Sequence, residues 1–305
     1  MTEAKDGGAM PQAKQNEIKM KIKNTAMYNP ESLSYIDVSE ITDFSDLLAG
    51  CNIKNLNVLS TWNVSNGTNF SGMFSDCPYI ESLDGLENWD MSEALELSEM
   101  FFGCRKLHSL LPLSKWNTSK CMFFCSTFSR CGFKNLNGLE NWKVCGILEE
   151  MFEGNIDLES IEALKNWNFY ENYAGRSLEE YHINRITFFN TNYLNSNYIL
   201  VLSKMFYRCF ELKTLKGLEK WDVSGCKAFD EMFRGCKQID SLEPLKYWNV
   251  CDGEYFSKMF LECKKIDSIK WVNNWDMSNC KSICSIFDSN ELENELSYKT
   301  SYINR

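Results

Sequence analysis

Cysteine is the residue type with the greatest chemical potential in this chain, which has 14 cysteines among 305 residues. A zinc site needs ligands that close a tetrahedron, and one thiol per repeat without a Cys-x-x-Cys pair does not supply them. Because asparagine replaces cysteine twice, the pattern predicts a buried ladder of small side chains rather than a metal site. Nine residues occupy this recurring position: Cys51, Cys77, Cys104, Cys131, Asn155, Cys209, Cys236, Cys263 and Asn290.

Four further cysteines form two pairs with the same internal spacing, Cys121 with Cys125 and Cys280 with Cys284. Both pairs stand at the same offsets from a preceding tryptophan. This equal placement favours a packing role, and a disulfide in an oxidising environment is the alternative.

Catalytic signatures are missing from the sequence. There is no glycine-rich phosphate loop, no Gly-x-Ser-x-Gly elbow and no His-Glu-x-x-His motif. Only two histidines are present, and His108 falls at a position expected to face solvent. The sequence therefore predicts a protein that is not an enzyme and that holds no cofactor and no metal.

Charge and hydropathy restrict the partners and the location. The formal net charge is −10, and no stretch is strongly basic, so we expect no nucleic-acid partner. The sequence has no run of about 18 apolar residues, so it predicts no transmembrane segment. Residues 1–17 lack the apolar centre of a signal peptide. These features favour an intracellular, reducing or virion-associated location over classical secretion, although the location itself is not determined.

One repeat, with a single tryptophan in most copies, organises most of the chain. Tryptophan gives its register, with Leu194 filling one gap and Ile36 opening the series. Apolar Met-Phe pairs, the cysteine position and spaced aliphatic residues recur in the same register. The tryptophans are Trp62, Trp89, Trp116, Trp142, Trp167, Trp221, Trp248 and Trp275.

Two kinds of element are expected in each repeat. Phe70, Met73, Phe74 and Cys77 fall at i, i+3, i+4 and i+7, which predicts a short helix, and serines such as Ser65 are candidates for its N-cap. The spaced aliphatic segment is typical of a short strand. We therefore predict an α/β, leucine-rich-repeat-like solenoid of about ten turns, each a short parallel strand plus a short helix.

Two phrases, NWDMSEALELSEMFFGCRKLHSL and KWDVSGCKAFDEMFRGCKQIDSL, resemble the leucine-rich-like repeat of the BspA-like surface proteins. The resemblance extends over residues 36–290 and rests on Trp-Asp-x-Ser, Met-Phe-x-x-Cys and the aliphatic run occurring in order. It implies an α/β solenoid used for adhesion or protein binding, without catalysis. The sequence differs from bacterial members in showing no signal peptide and no surface anchor.

The predicted domain boundaries follow from the repeat. Residues 1–17 are expected to be a disordered tail, 18–35 an N-terminal cap, 36–290 the repeat solenoid and 291–305 a C-terminal cap or tail. Residues 17–23 alternate apolar and charged side chains, which predicts a half-buried strand in the cap. The turn at 168–194 is irregular and rich in aromatic residues; it is interpreted as a drifted turn, with a partner-binding irregularity or a hinge as alternatives.

The outward positions of the strand segment are the candidate partner-binding site. A neighbouring column of small polar residues accompanies them, from Asn55 and Ser82 to Ser241 and Ser268, and a solvated sheet face without a partner is the alternative. The tryptophans predict core or corner residues, whereas a carbohydrate platform would favour Trp271, outside the column. The candidate binding residues are Lys54, Glu81, His108, Lys134, Glu159, Lys213, Asp240 and Asp267.

Two functions fit a repeat protein without an active site. The first is protein–protein interaction through an extended solenoid face, with a protein partner that the sequence does not name. The second is a structural component of a virion or a surface layer. The two differ in stoichiometry, because a structural component is abundant in purified particles and an interaction scaffold is not.

Overall fold

The computed structural model describes residues 11–169 and 200–288, together with Leu292 and Leu296. An α-helix, α1 (Gln12–Tyr28), comes first and leads into a 3-10 helix at Pro30–Tyr35. Two short parallel strands, β1 (Leu200–Val201) and β2 (Cys226–Ala228), pair with each other. The remaining 3-10 helices are Leu56–Leu59, Leu111–Leu113, Glu162–Asn166 and Glu243–Leu245.

The N-terminal segment is a helix, so the strand predicted for residues 17–23 is wrong. Ile22 and Ala26 are buried in the core and Ile18 packs against it, whereas Met20 is 67% exposed. A strand would have placed Ile18, Met20 and Ile22 on one face, but the helical period separates Met20 from the other two. Lys19 Nζ lies 3.0 Å from Asp43 Oδ2 and joins α1 to the first repeat. The predicted disordered tail also overlaps α1 from residue 12, and residues 1–10 lie outside the described part.

Successive repeats stack side by side through parallel backbone bridges. Each bridge joins equivalent positions of two repeats, as Asp43 to Asn69 and Asn69 to Glu96, and the step from Ile147 to Val201 covers twice the usual length of chain. Within the described residues, nine positions form this bridge column: Asp43, Asn69, Glu96, Phe123, Ile147, Val201, Ala228, Tyr255 and Ser282.

The Met-Phe segment is a ladder of tight turns and not the predicted helix. Alternate amides donate to the next repeat, as Phe70 N to Glu96 O (2.9 Å) and Gly72 N to Ser98 O (2.8 Å). The amides between them close local turns, such as Met73 N to Phe70 O. Gly72 has φ +60°, as the third residue of a type II turn requires, and a helix cannot contain such a residue without breaking.

Tryptophan fixes the opposite corner of each repeat. Each indole N–H in the column donates to a leucine carbonyl of the preceding repeat, as Trp89 Nε1 to Leu59 O and Trp248 Nε1 to Leu218 O. All eight tryptophans are at most 6% exposed, and the rings of six adjacent pairs stack with centroids 6.0–6.4 Å apart. The prediction of a core or corner role is confirmed, and a carbohydrate platform built from this column is wrong because the rings are buried.

The residue after each tryptophan shapes the turn that follows it. The Asn63 and Asp90 side chains accept from the amides of Ser65 and Ser92 further along the turn. Asparagine and aspartate favour this turn because their short side chains reach their own backbone. The serines therefore take part through their backbone amides and do not act as the predicted helix caps.

Across the long step from Ile147 to Val201, the described repeats on either side contact each other directly. Trp167 stacks directly on Trp221, with ring centroids 6.0 Å apart and planes inclined by 8°. Trp221 Nε1 donates to Leu164 O and Cys209 Sγ to Phe152 O, the same contacts that adjacent repeats make elsewhere. Apart from residues 168 and 169, the irregular turn predicted at 168–194, with Leu194, lies outside the described residues.

Ring spacing widens from the bridge column to the tryptophan column. Beside the bridges, Phe44–Phe70 and Phe229–Phe256 have centroids 4.9 and 5.0 Å apart. The Met-Phe rings are separated by 5.3–5.9 Å, and the tryptophans by 6.0–6.4 Å.

Candidate functional site

The candidate binding column lies at the surface along the stack. Seven of its eight members are exposed, and Glu159 is half-buried. Backbone amides connect neighbouring members directly, as Glu159 N donates to Lys134 O and Lys213 N to Glu159 O. The stack therefore brings residues that are distant in sequence, such as Glu159 and Lys213, into contact.

Two acidic members of the column are already neutralised by lysines. Lys106 Nζ lies 3.1 Å from Glu81 Oε1, and Lys213 forms an ion pair with Glu159. The hydrogen bond from Lys213 lowers the pKa of Glu159, with Lys134 adding a smaller effect. Asp240 and Asp267 form no ion pair with the described residues. The column therefore has free positive charge near its start and free negative charge at its end.

The side chains of the second polar column form hydrogen bonds within the protein. Asn55 Oδ1 accepts from Asn57 N, and Ser82 Oγ accepts from Asp84 N. Ser241 Oγ and Ser268 Oγ accept in the same way from the backbone that follows them. These side chains close local turns, as Asn, Ser and Thr do when the chain reverses. The recurrence of Asn, Ser and Thr at this position of each repeat is therefore explained by the turns that their side chains close.

The predicted buried ladder is confirmed for Cys77, Cys104, Cys131, Asn155, Cys209, Cys236 and Cys263. Cys51 is half-buried, and Asn290 lies outside the described residues. Cys77 Sγ donates to Leu48 O at 3.1 Å and Cys236 Sγ to Phe206 O at 3.1 Å. Asn155 makes the equivalent contact through Nδ2, 2.8 Å from Phe128 O. Asparagine can replace cysteine here because both side chains donate to the carbonyl of the preceding repeat.

Thiol chemistry is suppressed along this ladder. All 14 cysteines are free, and eleven of them are buried. Burial raises the pKa of Cys77 to about 12 and that of Cys236 far above its ordinary value. A thiol that keeps its proton is a poor nucleophile and a poor metal ligand. Among the described residues, no group of three or more Cys, His, Asp or Glu side chains is arranged to hold a metal ion.

Trp271 lies outside the tryptophan column, and its ring is half-buried against the core. Lys246 Nζ lies 5.7 Å and Lys270 Nζ 4.7 Å from its ring centroid. Tyr247 is 77% exposed, and its ring centroid lies 4.9 Å from Lys246 Nζ. Lysine ammonium groups therefore lie over the Trp271 ring, and Tyr247 beside it remains largely exposed.

An acidic cluster among the turns of the Met-Phe segments was not anticipated from the sequence. Burial, followed by the charges of Asp46, Asp76 and Glu150, raises the pKa of Glu99. Asp46 lies against Gly72, where an added Cβ would be 2.2 Å from Asp46 Oδ1. Asp46, Asp76 and Glu99 all occupy left-handed turn positions with φ of 52–57°. Sequence spacing does not reveal this cluster, because its members come from two different columns.

No helix among the described residues has both the length and the apolar character needed to cross a membrane.

Comparison with known proteins gives a family and no function. The family described as "Mycoplasma protein of unknown function, DUF285" matches residues 16–142, 78–187 and 177–299. Neither a curated protein nor a solved structure matches the chain. Three overlapping matches are what a tandem-repeat protein produces when one family unit spans several repeats. The chain is therefore a repeat protein and belongs to the DUF285 family.

Proposed function

We propose that this chain is a non-enzymatic protein-interaction module with a BspA-like, leucine-rich-repeat-like solenoid architecture. Parallel bridges between repeats, together with the tryptophan and cysteine ladders, support the architecture. Repeat proteins of this kind bind through extended surfaces that no single repeat provides. Raised cysteine pKa values argue for a structural use of the thiols.

The observation that carries the proposal is the exposed column Lys54, Glu81, His108, Lys134, Glu159, Lys213, Asp240 and Asp267. Its members are contributed by consecutive repeats, so a partner would meet a line of charges of fixed order. Each exposed contact is weak by itself, and several repeats acting together would supply the affinity. Mixed charge of fixed order favours a specific protein surface over a uniform polyanion.

The test is capture of a partner from the native source with the full chain as bait. Reversing the charge of the two unpaired acids, Asp240→Lys with Asp267→Lys, should leave folding unchanged. The amount of partner captured should fall at least severalfold. The matched control is Glu31→Lys with Glu40→Lys, two exposed acids at the N-terminal end. If both double variants retain the partner equally, the column is not the docking surface.

A structural component of a virion or surface layer is the competing function, and the same purification decides it. Quantitative mass spectrometry of purified particles would then find the chain among the abundant components. A substoichiometric amount supports the interaction module.

A further inference from the structure

Six exposed residues at the start of the column form a positively charged patch around one aromatic ring. We call it the lysine–tyrosine patch, and it lies on the first four repeats. Its members are Lys54, Tyr79, Arg105, Lys106, His108 and Lys134.

Tyr79 is the aromatic centre of the patch. Its side chain is 41% exposed, and two ammonium groups from the repeats on either side approach the ring. Lys54 Nζ lies 6.0 Å and Lys106 Nζ 5.7 Å from the ring centroid. These contacts hold the two positive charges near each other without neutralising either of them.

His108 is held in a defined orientation beside the lysines. His108 Nδ1 lies 2.7 Å from Gly132 O. A carbonyl can only accept, so Nδ1 carries the hydrogen and Nε2 is the nitrogen left for another group. Glycine is needed at 132, because a Cβ there would lie 2.7 Å from two atoms of the imidazole ring. The repeat sequence thus makes room for this ring.

The charge of the patch is not balanced by its surroundings. Lys54, Arg105 and Lys134 form no ion pair with the residues that the structure describes. The column's one acid in this region, Glu81, is already bound by Lys106 at 3.1 Å. This positive patch belongs to a chain whose net charge is −10, so it would attract an acidic partner that the chain as a whole repels.

We propose that the lysine–tyrosine patch binds an extended, carboxylate-rich segment of a protein partner. The inference rests on the proposed function and adds the chemistry of the partner. Stacked repeats about 4.8 Å apart place Lys54 and Lys134 about 14 Å from each other. An extended chain presents alternate side chains on one side about every 6.8 Å, so acidic residues at alternate positions match this span. A long polyanion is less suited, since Glu159, Asp240 and Asp267 continue the same column.

The experiment uses a short fluorescein-labelled peptide of alternating glutamate and threonine, titrated with the full chain and followed by anisotropy. We expect binding that weakens as salt is raised and that falls at least tenfold in Lys54→Glu with Lys134→Glu. The matched control is Lys220→Glu with Lys264→Glu, which changes two exposed lysines outside the patch. Its affinity for the peptide should change less than twofold. His108→Ala, which removes the exposed imidazole but leaves every lysine and arginine of the patch, should weaken binding severalfold while the circular dichroism spectrum stays unchanged.

Three results would overturn the inference. The first is no peptide binding by the unaltered chain, and the second is an equal loss in both lysine double variants. The third is double-stranded DNA of equal charge binding as tightly and depending on the same lysines, which would make the patch a general anion site. Capture of a native partner that still depends on Asp240 and Asp267 in these cases would leave the proposed function standing.

Discussion

At the scale of single residues, the cysteine ladder is defined by hydrogen bonding as much as by size. A cysteine thiol or an asparagine amide can both donate to the carbonyl of the preceding repeat. Asparagine, however, brings a second polar atom, and Asn155 Oδ1 is buried without a hydrogen-bond partner. The two residues are therefore interchangeable in geometry but not in energy.

Asn155→Cys should stabilise the chain by about 1 kcal/mol, because it removes a buried acceptor that has no partner. Urea denaturation followed by tryptophan fluorescence measures the change. The control is Asn155→Ala, which removes the donor to Phe128 O as well and should destabilise the chain. A loss of stability in Asn155→Cys of the same size would show that the amide oxygen is satisfied.

Solvent exposure should separate the cysteines into a few that react quickly with a thiol reagent and a majority that do not. Cys284 is exposed and Cys51 and Cys251 are half-buried, whereas the other eleven are buried. A thiol reagent should therefore modify at most these three within minutes in the native protein and all 14 after denaturation without reductant. Rapid modification of Cys236 would contradict the ladder, and recovery of far fewer thiols would show disulfides.

Stability should depend on pH through Glu149. Burial is the largest cause of its raised pKa, and the positive charge of Lys204 opposes the shift. The folded state then holds the proton more tightly than the unfolded state, so the contribution of Glu149 is lost as pH rises from the unfolded pKa through the folded pKa. Glu149→Gln should be more stable than the parent at pH 7 and equal to it near pH 4.

Asp90 provides the control of opposite sign. The hydroxyl and amide of Ser92 lower the pKa of Asp90, so its contribution is present at neutral pH and lost as pH falls through the folded pKa. Asp90→Asn should therefore lose stability at pH 7 relative to the parent and approach it near pH 3. Parallel pH profiles for the two variants would contradict both assignments.

At the scale of the element, the repeat is held by turns that depend on their neighbours. Alternate amides of the Met-Phe segment bind the next repeat, and left-handed residues such as Gly72 and Glu99 allow this alternation. An isolated repeat would leave half of these amides without a partner. The element is therefore stable only inside the stack.

Phe233→Ala should destabilise the chain by about 3–5 kcal/mol, because it leaves a cavity in the ring column. Phe233 is fully buried and stacks 5.6 Å from both Phe206 and Phe260. The exposed Lys220→Ala is the control and should stay within about 0.5 kcal/mol of the parent. Chemical denaturation measures both, and similar losses would mean that the ring column is not the core.

At the scale of the whole molecule, repeats on either side of residues 170–199 contact each other as ordinary neighbours. Phe169 packs edge-on against Trp221, 4.9 Å between ring centroids, and Ile147 bridges Val201. One core cluster contains described residues from both sides of this segment, from Ile22 to Leu296. The described repeats on the two sides are therefore joined by direct contacts.

Replacing residues 172–197 with a short Gly-Ser linker should therefore preserve the stack. We expect the same cooperative unfolding and a midpoint within a few degrees of the parent, since no described core contact is removed. Replacing positions 228–253 in the same way, which removes one repeat and its bridges, is the matched control and should destabilise the chain strongly. Loss of cooperative unfolding in the first variant would show that residues 172–197 support the core.

The sequence by itself determined the register of the repeat, its main core positions and the buried cysteine ladder. Trp62, Cys77 and Phe74 recur once per repeat in equivalent places, and every copy in the described column is at least half-buried. A position that is buried in one repeat is buried in the next, because each repeat is covered by its neighbour. The period of the repeat therefore predicts which positions are buried, even where the local backbone is not known.

Only the tertiary structure decided the local backbone and which of the described repeats are neighbours. The spacing of Phe70, Met73, Phe74 and Cys77 suits both a helix and two successive turns, and hydrogen bonds to the next repeat select the turns. Residues 17–23 suit both the strand period and the helical period, and contact with the core selects the helix. The step from Trp167 to Trp221 equals two repeat lengths, and only the stacking of these two rings shows that one repeat follows the other. In each case a local pattern allowed two structures, and contacts between residues distant in sequence chose between them.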